Sequence, residues 1–148
     1  MAANFPYAQF EVVRATTSTT NDASFLSAAF DSAGARAMRV IIKLGAITAG
    51  ATMTVCKIQS SATSGGTYAD VTGLAFTTFP TDAKDNQLMI FEWDCINGTT
   101  KDRFYKVAYT TAGSQNWAVD TIIAERVNLL TEPPSAANTV TDGYIVRV

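Results

Sequence analysis

The most constraining feature of this chain is its middle stretch, residues 52–79, in which small polar, β-branched and aromatic side chains alternate. Its sequence is TMTVCKIQSSATSGGTYADVTGLAFTTF. Such alternation suits a pleated, half-buried surface, because successive side chains of a strand point to opposite faces. The stretch predicts a strand, a turn at SATSGGT with φ above zero at glycine, a short strand led by an aromatic residue, and a further apolar strand.

Similar short strands recur about every dozen residues and are separated by Gly, Asn, Asp and Ser, which is typical of an all-β sandwich or barrel. In residues 37–44, apolar residues alternate with Arg39 and Lys43, so one face of this strand meets the core. Residues 88–96 repeat the pattern with Glu92 and Asp94 on the polar face. The predicted inward side chains of these two strands are Met38, Val40, Ile42, Leu44, Met89, Phe91, Trp93 and Cys95.

A hairpin is predicted after the second of these strands, because Asn97-Gly98 tolerates the positive φ angles of a tight turn. Its other strand would be residues 103–110, with Tyr105, Val107 and Tyr109 inward. Pairing of this kind brings Lys106 near the carboxylates of Glu92 and Asp94.

Two further strands have less regular patterns. In residues 52–59, Cys56 and Ile58 are predicted to point inward and Lys57 and Gln59 outward, with a bulge at Val55, which breaks the alternation. In residues 117–127 the predicted inward set is Trp117, Val119 and Ile123. Residues 21–34 have both helical and strand spacing, with Asp22 or Ser24 as a helix cap, and the threonine-rich context favours strand or irregular structure.

The composition excludes several classes of function. At 148 residues with a net charge of −2, the chain fits one domain, and its basic residues are scattered, so we expect no direct binding of nucleic acid. No apolar run approaches the ~20 residues of a membrane span, and the N-terminal sequence lacks a signal peptide, so we expect synthesis in a cytoplasm and no membrane partner. Cys56 and Cys95 are then expected to be reduced, and spacing alone does not say whether they meet across the core.

The chain contains no histidine, which removes the most common general base and metal ligand. Glu92 and Asp94 share a strand face, but flanking basic residues favour an ordinary solvent face over acid–base catalysis. Asp82 and Asp85 lack the rest of a calcium-loop pattern. We therefore predict no enzyme, no metal and no cofactor.

The two ends differ from the middle of the chain. We divide it into an N-terminal arm (residues 1–9), a sandwich domain (residues 10–127) that opens with an edge strand, and a C-terminal arm (residues 128–148) whose last residues, 144–148, form a short strand. Apolar side chains in these arms need burial, either on a neighbouring subunit or back on their own sandwich. The predicted interface residues are Phe5, Tyr7, Phe10, Leu129, Leu130, Tyr144, Ile145 and Val146.

The order of segments resembles a group of small β-sandwich structural proteins of tailed bacteriophages. The segments that carry the resemblance are AMRVIIKLGAIT (37–48), TVCKIQSSATSGGTYADVTG (54–73), DNQLMIFEWD (85–94), RFYKVAY (103–109) and the strand at 119–127. From the first of them to the last they span residues 37–127, about the middle two-thirds of the chain.

This resemblance implies a virion component, namely a capsid decoration (cement) protein with a jelly-roll-like antiparallel sandwich. Its expected partners are the major capsid protein of the same phage and further copies of itself, as a dimer or trimer. We expect synthesis in the host bacterial cytoplasm and a final location on the outer surface of the capsid. Two alternatives are open: a tail, neck or head-fibre component, and a carbohydrate-binding β-sandwich.

Overall fold

A computed structural model describes residues 9–14, 17–19, 24–80, 86–96, 102–112, 117–127 and 143–147 of the chain. Within these ranges the protein consists of eleven β-strands and contains no helix. The strands are β1 (Gln9–Arg14), β2 (Thr17–Thr19), β3 (Ser24–Leu26), β4 (Phe30–Asp31), β5 (Ala37–Ile47), β6 (Thr52–Ser61), β7 (Ala69–Ala75), β8 (Leu88–Asp94), β9 (Phe104–Ala112), β10 (Trp117–Val127) and β11 (Gly143–Arg147).

The strands form two sheets. The first has the order β1-β10-β5-β8-β11, with β2 pairing to β10 beside β1. The second has the order β3-β9-β6-β7, with β4 pairing to β9 beside β3. All these pairs are antiparallel except that of β8 with β11, which is parallel. The prediction of an all-β fold of antiparallel sheets is therefore confirmed.

The core lies between the inner faces of the two sheets. The alternating residues predicted to face inward on β5, β8 and β9 are buried, with Cys95 half-buried against them. Aromatic rings join the sheets: the Phe76 and Phe91 ring centroids lie 4.6 Å apart, and those of Trp93 and Tyr105 lie 5.0 Å apart. These contacts combine large buried area with favourable tilted ring geometry.

The predicted hairpin of β8 and β9 is wrong. β8 pairs with β5 and β11 in the first sheet, whereas β9 pairs with β6, β3 and β4 in the second. Both strands turn an apolar face inward, and they meet across the core, face to face, instead of edge to edge. Lys106 accordingly lies 4.2 Å from the ring centroid of Tyr68, and Glu92 bonds to Arg39. Asn97 and Gly98 lie outside the described residues.

The inward set of β10 is Val119, Ile122 and Ala124. The prediction of Ile123 is wrong, since this residue is half-buried on the outer face. The cause is a shift in the register with β5 between Val119 and Thr121, which moves the following residues by one position. The side chain of Trp117 lies outside the described part of the chain.

The bulge predicted at Val55 is confirmed by a register shift between Met53 and Val55 against β9. Cys56 and Ile58 are buried, as the alternation after the bulge predicts. Both cysteines are free thiols.

After the turn, residues 67–79 contain one strand, β7 (Ala69–Ala75), where the sequence predicts two. β7 pairs with β6 at Asp70 and again at Ala75, and the register shifts in between, where Gly73 has a φ of +83°. This left-handed conformation interrupts the ladder, because it turns the backbone away from a regular strand. Phe76, which follows the strand, is buried in the core.

The turn before β7 is present, but neither Gly65 nor Gly66 has a φ in the left-handed region, so this part of the prediction is wrong. Gly66 is needed for another reason. A Cβ atom at this position would collide with Ser61 Oγ and would lie 2.6 Å from Thr63 Oγ1.

The described residues between 24 and 34 contain β3 and β4 and no helix, in agreement with the sequence. At the N-terminal end, β1 forms an outer strand of the first sheet, where the sequence predicts an edge strand at the start of the sandwich domain. At the C-terminal end, β11 (Gly143–Arg147) corresponds to the terminal strand predicted at residues 144–148, and it pairs with β8. Residues 1–8, 128–142 and 148 of the two predicted arms lie outside the described residues.

Candidate interaction surface

The outer face of the first sheet carries a row of apolar side chains that crosses adjacent strands. Ile123 of β10, Ile41 of β5 and Ile90 of β8 are direct register partners, and we call these three residues the isoleucine row. All three are half-buried. Val12 of β1 extends the row at one end as the partner of Ile123, and its side chain is 65% exposed. Beyond the other end, Ile145 of β11 is in register with Ile90.

A row of ion pairs runs beside the isoleucine row. The Arg39 Nε atom donates to Glu92 Oε1 at 2.7 Å, and Arg39 Nη1 donates to Glu125 Oε2 at 3.4 Å. One guanidinium therefore joins carboxylates from two neighbouring strands, which register places on either side of it. Glu125 is only 8% exposed, and a nearly buried carboxylate is costly to leave without an ion-pair partner. Phe10, in register with Glu125, ends this row at the sheet edge.

The opposite flank of the isoleucine row is also charged. Lys43 Nζ donates to the carboxylate of Asp120, and both side chains are partly exposed. Gly45 permits this arrangement, because a Cβ atom there would collide with Asp120 Oδ1. Apolar side chains flanked by satisfied polar groups are the usual composition of a protein–protein contact surface.

The outer face of the second sheet is different in character. Lys57 Nζ and Gln59 Nε2 both donate to the Asp70 carboxylate, at 2.7 and 2.8 Å. These two hydrogen bonds, of which that from Gln59 has the larger effect, lower the pKa of Asp70. Tyr68 and Lys106 form the cation–π contact described above. Leu26 is the large apolar side chain most exposed on this face, at 52%. Among the described side chains, the apolar row lies on the outer face of the first sheet.

The described residues offer little reactive chemistry. They contain no group of three or more His, Cys, Asp or Glu side chains that could hold a metal ion. Burial raises the pKa of the Cys56 thiol, and burial together with Asp94 raises the pKa of Cys95 to about 11, so neither thiol ionises near neutral pH. Glu92, considered above as a possible acid or base, is held by Arg39.

The interface residues predicted from the sequence are only partly described. Phe10 is 67% exposed on β1. Tyr144, Ile145 and Val146 lie in β11, where the backbone alone is described, and the others lie outside the described residues: Phe5, Tyr7, Leu129 and Leu130.

Sequence reasoning missed Val12 and the isoleucine row. A signal was present, because Val40-Ile41-Ile42, Met89-Ile90-Phe91 and Ile122-Ile123-Ala124 are uninterrupted apolar triplets. A strand with three consecutive apolar residues is apolar on both faces.

Comparison with protein-family models finds no match, and comparisons with curated proteins and with solved structures find none either. In the residues that the structure describes, no helix has the length and apolar character needed to span a membrane.

Proposed function

We propose that this protein is a structural subunit of a tailed-phage virion, a capsid decoration (cement) protein. It binds the outside of the head and bridges neighbouring major capsid subunits, without an enzymatic activity or a cofactor. The observation that carries the proposal is the isoleucine row with its two flanks of ion pairs, which has the composition of a surface for protein contact.

The strand order supports classing the sandwich as a jelly roll. In one sheet β1, β10, β5 and β8 are neighbours in that order, and in the other β3, β9, β6 and β7. Among these eight strands the chain passes from one sheet to the other at every connection except that of β6 and β7, which form a hairpin. Two interlocked Greek keys of eight strands have this order, which is common in viral capsid and lectin domains.

Binding to the assembled shell in preference to its free subunits stabilises the assembly by mass action. Many copies on one lattice multiply weak contacts through their high effective concentration. A sheet face with an apolar centre suits such a role, because each contact needs shape complementarity and burial and no catalytic chemistry. We further propose that residues 1–10 and 128–148, which are the two arms together with Phe10, supply additional contacts across the seams between capsid subunits.

The alternatives differ in how far the described surface supports them. A tail, neck or head-fibre component would use the same kind of surface, and the position of the gene beside capsid or tail genes distinguishes it. A carbohydrate-binding module requires several exposed aromatic rings in a row. Among the described residues the exposed large apolar side chains are Phe10, Val12, Leu26 and Ile96, of which one is aromatic.

The proposal is tested by co-sedimentation with empty shells of the major capsid protein encoded in the same genome. Wild-type protein is expected to bind saturably. Ile90→Lys, which places a charge in the middle of the outer face, is expected to weaken binding by about tenfold or more. Leu26→Lys, an equal change on the second sheet, is the matched control and should bind like the wild type.

Circular dichroism and thermal unfolding establish that both variants fold. Truncations lacking residues 1–8 or 128–148 test the arms in the same assay. Absence of wild-type binding, or equal binding by folded Ile90→Lys, would overturn the proposal for this surface.

A further inference from the structure

β10 and β11 run in the same direction within the first sheet. β10 is antiparallel to β5, β5 is antiparallel to β8, and β8 is parallel to β11. In the sheet, β5 and β8 lie between β10 and β11. Two parallel strands cannot be joined by a tight turn, because the chain must first return to the end of the sheet at which the first strand began. Residues 128–142, outside the described part of the chain, make this return.

The register fixes both ends of the connection. Val127, at the end of β10, is level with Asp94 at the end of β8, and Gly143 is level with Leu88 at the start of β8. The connection therefore spans about 25 Å, three strand spacings sideways and six residues back along the strands. The segment reaches at most about 50 Å when extended, which is enough for a path over a face of the sheet. Because Ile90 lies between Leu88 and Asp94, such a path crosses the level of the isoleucine row.

The backbone hydrogen bonds of β5 determine which face a right-handed connection crosses. The side chain of Leu44 is buried in the core, and its N–H donates to Gln87 O, just before β8, at 2.9 Å. In an upward strand, an L-residue whose side chain points at the viewer directs its N–H to the right, because the chirality of Cα is fixed. β8 therefore lies to the right of an upward β5 in a view from the core. In a view from outside with β10 upward, β11 lies to the right of β10, and a connection in front of the sheet is right-handed, as nearly all such crossovers are.

Other routes from β10 to β11 are less favourable. The inner face is packed against the second sheet, and a connection across it would be left-handed. A route around the edge of β11 meets β7 of the second sheet, whose backbone lies close to β11. Pro133 and Pro134 disfavour a further strand along that edge, because proline has no N–H to donate to a ladder.

We propose that residues 128–142 cross the outer face of the first sheet and pack against the isoleucine row. The segment contains apolar side chains suited to this contact, Leu129, Leu130 and Val140, and the isoleucines that would receive them are half-buried. The occupant of this face is thus a part of the same chain. A single segment covers only a band of the face, so a shell would contact the segment together with the uncovered part of the row. The inference rests on the strand directions and not on the proposed function.

Distances between spin labels in the full-length protein test the path. One label is attached at Ser135→Cys, in the middle of the segment, and the other at Lys43→Cys on the first sheet or Lys57→Cys on the second. The distance from position 135 to position 43 is expected to be the shorter by about 10 Å or more, because both sheets lie between the segment and Lys57. Equal distances, or a shorter distance to position 57, overturn the proposal.

The contact with the row is tested by the rate at which a thiol reagent modifies Ile41→Cys. Changing Leu129 and Leu130 to Ser is expected to raise this rate by about fivefold or more, since the segment then protects the row less. Leu26→Cys on the second sheet is the control, and its rate should not change. All these variants carry Cys95→Ala, and thermal unfolding shows that they fold; Cys56 is buried.

An unchanged rate at position 41, or an equal rise at position 26, overturns the proposed contact. Both measurements use the isolated chain without shells. A failure of this inference is therefore distinguishable from a failure of the proposed function, which is judged by shell binding.

Discussion

Ile122 of β10 lies directly opposite Ile42 of β5 on the core face of the first sheet, and neither side chain is exposed to solvent. The next residue, Ile123, lies opposite Ile41 on the outer face. This arrangement fixes the register of the central strand pair, and it can be tested residue by residue because the two adjacent isoleucines differ only in the face they occupy.

Ile122→Ala is expected to lower the free energy of unfolding by about 2–5 kcal/mol, because it removes fully buried methyl groups and leaves a cavity. Ile123→Ala should cost less than about 1.5 kcal/mol, since its side chain is half-buried and the space it leaves is open to water. Urea denaturation of the two variants measures the difference. Equal costs, or a larger cost at Ile123, would contradict the register.

The turn between β6 and β7 gives a second matched pair. Gly66→Ala is expected to destabilise the protein by about 1–3 kcal/mol, since the new methyl group must displace the hydroxyls of Ser61 and Thr63. Gly65→Ala has no atom within 4 Å of its new Cβ and should be neutral or stabilising by less than about 1 kcal/mol. The shift of the thermal midpoint reports both. A neutral Gly66→Ala would show that the turn has another conformation.

Arg39 is expected to contribute more to the stability of the fold than any other charged residue on the outer face of the first sheet. Arg39→Met leaves Glu125, with a side chain 10% exposed, without its partner, and we expect a loss of roughly 1–3 kcal/mol, between the values for exposed and buried pairs. Lys57→Met is the comparison, because it removes an ion pair with the exposed Asp70 and should cost at most about 1 kcal/mol. Chemical denaturation at neutral pH and low salt measures both losses. A Lys57→Met protein less stable than Arg39→Met would contradict the importance of the Arg39–Glu125 ion pair.

Acid should weaken the contact of Asp31 with Arg103. Arg103 donates from Nε to Asp31 Oδ1 at 2.8 Å and from Nη2 to Oδ2 at 2.6 Å, and these bonds lower the pKa of Asp31. A carboxyl whose pKa is lower in the folded state contributes stability above its unfolded-state pKa of about 3.9 and loses it as the pH falls through the folded-state value.

Asp31→Asn is therefore expected to be less stable than the wild type at pH 7, and the difference should shrink below about pH 4. Urea denaturation over this pH range is the measurement. Adding Arg103→Gln to the variant should cause no further change in the pH dependence. A difference between wild type and Asp31→Asn that stays constant with pH would show that the ion pair is not its source.

Much of the fold was predictable where the alternation is strict. On β5 and β9, charged residues such as Arg39 and Lys106 alternate with apolar ones, and this pattern determines the inward face without knowledge of the partners. The bulge at Val55 was predictable for the same reason, because a single extra residue must break the period of two.

The remaining features depend on information that alternation does not contain. The pattern in β8 identifies its core face but not its neighbours, so the hairpin with β9 could not be distinguished from packing across the core. Because the register shifts after Val119, Ile122 faces the core where regular alternation would place Ile123. Both residues are isoleucine, so the sequence does not distinguish them. The isoleucine row was hidden because its members adjoin core residues in sequence, and only the pairing of β10, β5 and β8 brings them together.

The central proposal, that this protein is a structural component of a capsid surface, is tested most directly by quantitative mass spectrometry of purified virions of a phage whose genome carries its gene. The measured quantity is the number of copies of this chain per major capsid subunit. The account predicts a constant ratio of small whole numbers in every preparation. Absence of the chain from intact particles, or a few copies per virion, would contradict it.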